Sequence, residues 1–528
     1  MFIPDPPLVA ELVPMTDDER LLYESVVPEK HFLRRLPQAV DFESFRPLLV
    51  SAYNGRDFGR PPHDPVVMLK LEVLARQYGL SDREVIADAR LNLGYRLFLG
   101  LGLYSPLPHH TLLTYFRQRL GPERMQEIFD ALVGQARRLG LVKDRLRLKD
   151  ATHIIANFAV PSTIRLVAEV RDRLLDALQP FAPARVVEEE QQAEAIRVGS
   201  ADAKDKDRLL QRVEHLQTVV TWAAAVPQQN TFTQQSALAQ ETLQNALTLA
   251  HKVLADRDPE AEDRLLSMTD PDARRGRHGH WFDGYLVDVC MDADSQLLTA
   301  MNVLPANGDE GGDAAHLIGQ EEQAQGNDVE AISIDGAGYR GTILRELTDP
   351  DGLNLEVFTP PPKLEPPVGF PPERFTLQTI DGREVLICPN GAQSYKRERN
   401  RDTGYVYRFS AKDCKTCPLR AQCLATPKTK ARTVSKNDYA ADYAAAQAKT
   451  QTAAYQEVRR EHPAIERKLA ELVRRHDLRH ARYRGQQKVL YQGLITGMVV
   501  NLKRMVRLLW DLPAKVAGTV RAEPVKTG

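Results

Sequence analysis

Long apolar runs are absent from this chain of 528 residues, and no window approaches the roughly 18 consecutive apolar residues that a membrane-spanning helix needs. The opening segment, MFIPDPPLVAELVPM, carries acids and prolines where a secretory signal would carry a basic region. Cysteine is scarce as well, since the chain has five, which does not fit a secreted disulfide scaffold. We therefore expect a cytoplasmic protein that makes no contact with a membrane.

The chain also lacks an excess of either charge, because its formal net charge is −1. The charges are nevertheless segregated along the sequence. Residues 395–434 hold eleven Lys and Arg against three Asp and Glu, and residues 459–507 hold thirteen against four. Acids concentrate in the middle, around VVEEEQQAEA at 186–195. Local basic surfaces of this kind are typical of proteins that bind phosphates, although solvated helix faces give the same pattern.

The order of the helix and strand patterns divides the chain, which is too long for one core, into several units. We expect an α+β protein, mostly helical, with a mixed sheet and flanking helices in the order of the ribonuclease-H-like fold. The predicted units are an all-α N-terminal domain for DNA binding or dimerisation (1–140), a ribonuclease-H-like catalytic domain in three pieces (141–160, 276–360 and 441–512), a helical insertion (161–275), a cysteine-rich zinc-binding insertion (361–440) and a disordered tail (513–528).

Two of these units carry more specific patterns. In the N-terminal unit, short helical patterns alternate with tight turns, and PLPHHTLLTYFRQRLG at 106–121 is a basic one. A helix-turn-helix array that reads DNA and a plain helical bundle both produce this pattern. In the helical insertion, the acidic, Gln- and Ala-rich segment between two helical patterns predicts a flexible loop.

Two aspartates follow apolar runs. RLRLKDATHIIAN at 145–157 predicts a strand that ends on Asp150, where an unpaired carboxylate would be costly. Asp150 is there either a turn former or a ligand for a cation. VEAISIDGAGYRG at 329–341 predicts a second strand, ending on Asp335. The ribonuclease-H-like order makes these strands neighbours, so we expect the two carboxylates to meet.

Such a pair has a known chemical use. Two aspartates at adjacent strand ends, with one acid from a nearby helix, can hold two divalent metal ions about 4 Å apart. Mg²⁺, or Mn²⁺ in its place, prefers oxygen ligands of this kind. One ion would activate a water or a 3′-hydroxyl and the other would stabilise the leaving oxygen, so one site could both cut DNA and join it.

Four of the five cysteines lie close together in the sequence. Cys388 stands in CPNG, and Cys414, Cys417 and Cys423 stand in CKTCPLRAQC. Four thiolates can close a tetrahedral structural zinc site, and the alternative is a set of reduced, unliganded thiols. Cys290, in an apolar strand, is predicted to be a core residue.

Four segments, in this order, resemble the conserved blocks of bacterial insertion-sequence transposases of the DDE class: DATHIIAN, TDPDARRGRHG, ISIDGAGYRG and IERKLAELVRRHDLRHARYRG. The resemblance covers about residues 30 to 510. It implies a bacterial, nucleoid-associated enzyme that binds the terminal repeats of its own insertion sequence, cleaves at the ends and joins 3′-hydroxyls to double-stranded target DNA. Because two ends must be paired, we expect a homodimer in the DNA complex.

Carried over to this sequence, the acids of the family are Asp150, Asp335 and Glu466. In related transposases a Tyr and an Arg precede the glutamate at fixed spacing, whereas positions 459 and 462 here hold Arg and His. Glu461 therefore remains an alternative for the third acid.

Basic residues beside these motifs are predicted to hold DNA, because the fork of arginine suits phosphate and an aromatic ring can stack on an unpaired base. The predicted DNA-binding residues are Arg117, Arg119, Arg274, Arg275, Arg397, Arg399, Arg479, Arg482, Tyr483, Arg484 and Lys488. His153 is expected to be structural.

Two other functions are compatible with the sequence. One is a nuclease of related fold that cuts DNA without joining it, which a strand-transfer assay with a pre-cleaved end would reveal. The other is a catalytically inactive DNA-binding regulator.

Overall fold

The computed structural model of the chain describes residues 15–53, 62–228, 230–362, 369–400, 403–424, 426 and 428–511. The predicted tail, 513–528, lies outside the described residues. Within the described ranges, no helix combines the length and the apolar character needed to cross a membrane.

The N-terminal part is helical, as predicted. Its helices are α1 Asp17–Val26, α2 Phe32–Ala39, α3 Arg46–Val50, α4 Pro65–Tyr78, α5 Asp82–Leu91, α6 Leu93–Leu99 and α7 Thr111–Arg138. The Asp64 carboxylate accepts hydrogen bonds from the first backbone N–H groups of α4, and Gly79, at φ 69°, ends that helix in the left-handed conformation. Gly121, at φ 66°, bends α7. The basic segment predicted to read DNA is the part of α7 before this bend.

A mixed sheet forms the centre of the molecule. Its strands are β1 Arg147–Ile155, β2 Arg274–His278, β3 His280–Asp292, β4 Leu298–Pro305, β5 Ala331–Ser333 and β6 Glu356–Phe358. The strands lie in the order β4-β3-β1-β5-β6, and β2 pairs with β3 as well. β3 is antiparallel to β1, β2 and β4, whereas β5 is parallel to β1 and to β6. The prediction of a mixed sheet with β1 at its centre is therefore confirmed.

The prediction that the first strand ends on Asp150 is wrong, because β1 continues to Ile155. β1 pairs with the longer β3 without interruption, from Arg147 opposite Asp292 to Ile155 opposite Gly284. The ladder hydrogen bonds therefore hold the backbone extended beyond Asp150. Since successive side chains alternate, Asp150 lies inside the strand and on the face opposite to its neighbours.

The helical insertion follows β1 and has a core of its own. Its helices are α8 Thr163–Leu178, α9 Pro183–Gly199, α10 Asp205–Ala225, α11 Asn230–Thr233 and α12 Ala237–Ala255. The acidic segment predicted to be a flexible loop is instead helix α9, so that prediction is wrong. Val186 and Ala193 are buried against the neighbouring helices, and this packing stabilises a helix of polar composition.

The remaining elements lie outside the central sheet, and some of them carry the clustered cysteines. They are α13 Ala314–Gln325, α14 Gly341–Thr348, β7 Thr376–Ile380, β8 Arg383–Ile387, β9 Lys396–Arg399, β10 Gly404–Arg408, α15 Ala411–Lys415, α16 Arg420–Cys423, β11 Thr433–Asn437, α17 Ala440–Lys449, α18 Ala453–Glu461, α19 Pro463–His476 and α20 Gln486–Asp511. β7 pairs with β8, and β9, β10 and β11 form a second small sheet.

The largest core joins the N-terminal helices to the central sheet. Leu132 of α7, Val289 of β3 and Leu494 of α20 belong to one continuous apolar cluster. The opposite face of the sheet has a smaller core with α13 and α14, which includes Cys290 and Ile318. Cys290 is fully buried, as predicted. The N-terminal helices and the sheet are thus packed together as one body.

Charged residues also lie inside the smaller core. Arg147 is completely buried, and its guanidinium contacts Glu321 at 2.5 Å and Asp292 at 3.2 Å. Both carboxylates are themselves fully buried. Removing one member of such a network leaves an uncompensated charge without water.

We expect Arg147→Met to lower the free energy of unfolding by about 3–5 kcal/mol, because Glu321 and Asp292 would then be buried without their cation. Urea unfolding, followed by circular dichroism, measures the change. The matched control is Arg145→Met, two residues before the same strand, where the ion pairs are half-exposed and the loss should stay below about 1 kcal/mol. Equal losses in the two variants would contradict a special role for the buried network.

Candidate active site

The parallel pairing of β1 and β5 brings Asp150 and Asp335 together. Arg147 is level with Ile332, and Leu148 is level with Ser333. Continuing this register by two residues sets Asp150 level with Asp335, just beyond the end of β5. β1 and β5 are thus neighbours, as expected, although Asp150 lies inside its strand and only Asp335 follows one.

Each of the two carboxylates is fixed by its surroundings. Asp150 is half-buried, and one of its oxygens accepts the Ala151 N–H at 2.8 Å. Burial raises the pKa of Asp150 to about 7, and the negative charge of Asp335 adds to that rise. Asp335 accepts the Ala337 N–H at 3.0 Å, while its carbonyl accepts the Thr359 hydroxyl at 2.7 Å. The pair is a repelling one, and a cation between the two carboxylates would relieve the repulsion.

Glu466 lies on α19, the helix that packs beside β1, and its side chain is exposed. Arg459, on α18, lies near both Glu466 and Asp335. Burial lowers the pKa of Arg459, and the charges of Asp335 and Glu466 oppose that shift, so one guanidinium lies within electrostatic reach of both acids. Arg459 donates to the Ser333 hydroxyl at 3.2 Å and to the Ile334 carbonyl at 3.0 Å, which holds it at the end of β5.

Glu461, the alternative third acid, has other partners. Its carboxylate accepts hydrogen bonds from Arg145 at 2.8 and 3.2 Å, and Arg145 also pairs with Asp294 in the turn between β3 and β4. These contacts hold Glu461 at the opposite end of β1 from Ile155. Glu461 is thus held in ion pairs within the protein, and the choice of Glu466 as the third acid remains a prediction.

A set of three closely spaced metal ligands is not formed here. Among the residues that the structure describes, no group of three or more His, Cys, Asp or Glu is arranged to hold a metal ion. Asp150 and Asp335 nevertheless fit a divalent cation by donor type and by register. Glu466 is not part of one ligand group with them in this structure.

Two features behind the acids were not predicted from the sequence. His462 is buried, its Nδ1 lies 3.0 Å from the Ser333 hydroxyl, and burial lowers its pKa to about 4. On the other face of β1, Lys149 forms a buried ion pair with Asp288 at 2.8 Å. The alternation of charged and apolar residues in RLRLKDA indicates that Lys149 lies within a strand, but the sequence does not identify its ion-pair partner.

Several predicted DNA-binding residues are engaged in contacts within the protein, which leaves their role in DNA binding a prediction. Arg117 pairs with Glu72 at 2.7 Å and with Asp82 at 2.5 Å, and lies over the half-buried ring of Tyr483. Five other predicted DNA-binding arginines also have partners inside the protein: Asp263 for Arg274, Asp283 for Arg275, Glu384 for Arg397, Asp438 for Arg399 and the carbonyl of His153 for Arg479.

Other predicted DNA contacts are open to solvent. Arg482, two residues after the bridge between His480 and Ile155, is exposed, and so is Lys488 in the first turn of α20. Arg484 is exposed as well, and its Nε donates to the Asn157 carbonyl at 3.1 Å. Arg119 is exposed on α7 with its guanidinium over the Tyr53 ring. His153 is buried among His280 and Phe282, in keeping with a structural role.

The four clustered cysteines converge on one small unit of the fold. All are half-buried and free. Burial raises the pKa of Cys423, and the other three thiols lie close enough to raise it further. The Cys388 sulfur accepts the Ala392 N–H at 3.3 Å in a tight turn. Within the described residues these thiols are not arranged as a metal-binding group, and zinc binding remains a prediction.

We expect Asp150→Asn to stabilise the protein at pH 8 but hardly at pH 4. The folded state raises the pKa of this carboxyl from 3.8 to about 7 and so binds its proton more tightly than the unfolded chain. Stability from this group is therefore lost as the pH rises from about 4 to 7. The amide, which does not ionise, should add roughly 1–3 kcal/mol at pH 8. Thermal unfolding without divalent cations measures the effect, and equal gains at both pH values would contradict it.

Comparison with known proteins agrees with the reading of the sequence. Residues 21–119 match a family described as Transposase domain (DUF772), and residues 387–506 match one described as Transposase DDE domain. The second match contains Glu466 and the four clustered cysteines, and Asp150 and Asp335 lie between the two matches. No significant match was found among curated proteins or among solved structures. The chain thus contains a match to each of two transposase domains, which supports an insertion-sequence transposase of the DDE class.

Proposed function

We propose that this transposase binds the terminal repeats of its own insertion sequence, cleaves DNA at the ends and joins the 3′-hydroxyls to target DNA. The observation that carries the proposal is the pair of Asp150 and Asp335, level with each other at adjacent parallel strands, with Glu466 on the helix beside them. The strand order β4-β3-β1-β5-β6, with three antiparallel strands followed by two parallel ones, supports a ribonuclease-H-like fold for the sheet.

The donor set supports Mg²⁺ or Mn²⁺ as the cofactor. Asp150, Asp335 and Glu466 would hold two such ions, because hard divalent cations prefer carboxylate oxygens. When bound, the ions supply Lewis-acid stabilisation of the charge that develops on the transferred phosphate and make an attacking water or 3′-hydroxyl more acidic.

The chain's own residues prepare this site. Arg459 offsets part of the repulsion among the acids, since its charge lies near Asp335 and Glu466. His462 remains neutral near pH 7, because its pKa is lowered to about 4, and it fixes the Ser333 hydroxyl at the end of β5. The exposed side chains of Arg482 and Lys488 are suited to DNA phosphates near the site. A homodimer would present one such site to each end of the element.

We expect Asp150→Asn, Asp335→Asn and Glu466→Gln each to abolish cleavage and joining, while DNA binding in a mobility-shift assay is kept. The three acids act as one unit, so a double variant should be no worse than a single one. The matched control is Glu461→Gln, which should remain active because Glu461 is paired with Arg145. The assignment of the third acid fails if Glu461→Gln is inactive and Glu466→Gln is active.

We also propose that Cys388, Cys414, Cys417 and Cys423 bind one structural zinc ion, since four thiolates can close a tetrahedral site. Purified protein should then contain about one zinc per chain by elemental analysis. Cys414→Ser or Cys417→Ser should release the zinc and make residues 374–435 sensitive to proteolysis. Cys290→Ala, in the core of the sheet, should keep it. Active protein without zinc would end this proposal.

A further inference from the structure

A groove between α19 and α20 is rich in arginine and takes no part in the site described above. It encloses about 420 Å³ and is lined by Arg467, Ala470, Glu471, Arg474, Arg475 and Arg507. Arg467, Arg474, Arg475 and Arg507 are called the groove arginines here. In the described part of the chain, no acid forms an ion pair with any of the four, and their side chains are exposed.

The acid in this lining, Glu471, already forms ion pairs with two lysines. The Glu471 carboxylate pairs with Lys503 at 2.9 Å and with Lys468 at 3.4 Å. Burial raises the pKa of Glu471, but these two lysines outweigh that effect and lower it, so the carboxylate stays ionised and paired. The groove therefore gathers four cations that form no ion pair within the described residues. An anion bound there would be attracted by all four.

The spacing of the groove arginines suits a chain of phosphates. Arg467 and Arg475 lie eight residues apart on α19, which is about 12 Å along the helix axis. One DNA strand carries a phosphate for about every 3.4 Å of the duplex axis, so this length spans several phosphates. Because a guanidinium can donate two parallel hydrogen bonds to phosphate, arginine suits this role better than a simple point charge.

The groove and the acid site lie on different flanks of α19. Each residue turns a helix by about 100°, so Arg467, Arg474 and Arg475 are rotated by about 80–180° from Glu466. The buried side chains Ile465, Leu469 and Leu472 face the core on a third side. DNA in the groove is thus a different stretch from DNA whose phosphate meets the acids.

We infer that the groove arginines bind the backbone of a DNA duplex outside the acid site. The inference deepens the proposed function, on which it rests, by adding a second DNA-binding surface to the same enzyme. The chemistry of the groove is that of phosphodiester recognition without base reading. The bound duplex is either the target DNA or the flank of the element end, and activity assays separate the two.

The binding test uses the full-length protein and a short random-sequence duplex that lacks the terminal repeat. Arg474→Ala/Arg475→Ala should flatten the slope of log affinity against log salt by about two, between about 50 and 200 mM salt. Arg474→Lys/Arg475→Lys, which keeps the charge, should keep most of the slope. Arg173→Ala/Lys206→Ala, which removes two exposed cations from α8 and α10, is the matched control and should change nothing. An unchanged slope in the Ala variant would overturn the inference.

The activity test uses the same variants with element ends and Mg²⁺. Loss of joining with normal cleavage supports binding of target DNA, and loss of both supports binding of the element flank. Normal cleavage and joining at all salt concentrations, together with an unchanged slope, overturns the inference. Wild-type protein that does not cleave DNA would refute the proposed function alone, since the binding test does not depend on catalysis.

Discussion

The structure depends on a central strand that is buried on both sides and nevertheless charged. β1 presents Arg147 and Lys149 to one core, and Asp150 to the other side. A buried charge is tolerated only where a partner offsets it. The two cations have theirs inside the fold, in Glu321 and Asp288. Asp150 has instead another carboxylate, Asp335, beside it. The charges on one face of β1 are thus paired with opposite charges, whereas the charge of Asp150 on the other face is not. This difference between the two faces coincides with the candidate site.

The same strand connects the site to the N-terminal helices. Two apolar residues of β1, Leu148 and Ile154, lie on the same face as Asp150. Both belong to the core that includes α7 and α20. Arg117 of α7 pairs with Glu72 of α4 and lies over Tyr483, just before α20. A rigid connection therefore runs from the helices matched as a transposase domain to the acids. DNA held by those helices would be held in a fixed position relative to the acids.

The sequence predicts features that depend on neighbouring residues, and it does not predict features that depend on contacts between residues far apart in the chain. Asp335 could be placed because an apolar run and a Gly-rich turn mark the end of a strand locally. The end of β1 could not be placed, because the ladder with β3 that extends the strand past Asp150 pairs residues 129 to 137 positions apart. Helix α9 was missed since its composition is polar and its stability comes from packing. The partners of Arg117, and the groove formed by helices α19 and α20, likewise exist only in three dimensions.

The long insertion between β1 and β2 has a consequence for the timing of folding. Its helices have their own core, so they can fold while the rest of the chain is still being synthesised. Asp150 leaves the ribosome long before β5 exists to pair with its strand, and α19 and α20, which seal the main core, come last. A truncated or nascent chain therefore carries the first acid without the second or the third. Any chemistry that needs the three acids together could therefore arise only with nearly complete synthesis of the chain.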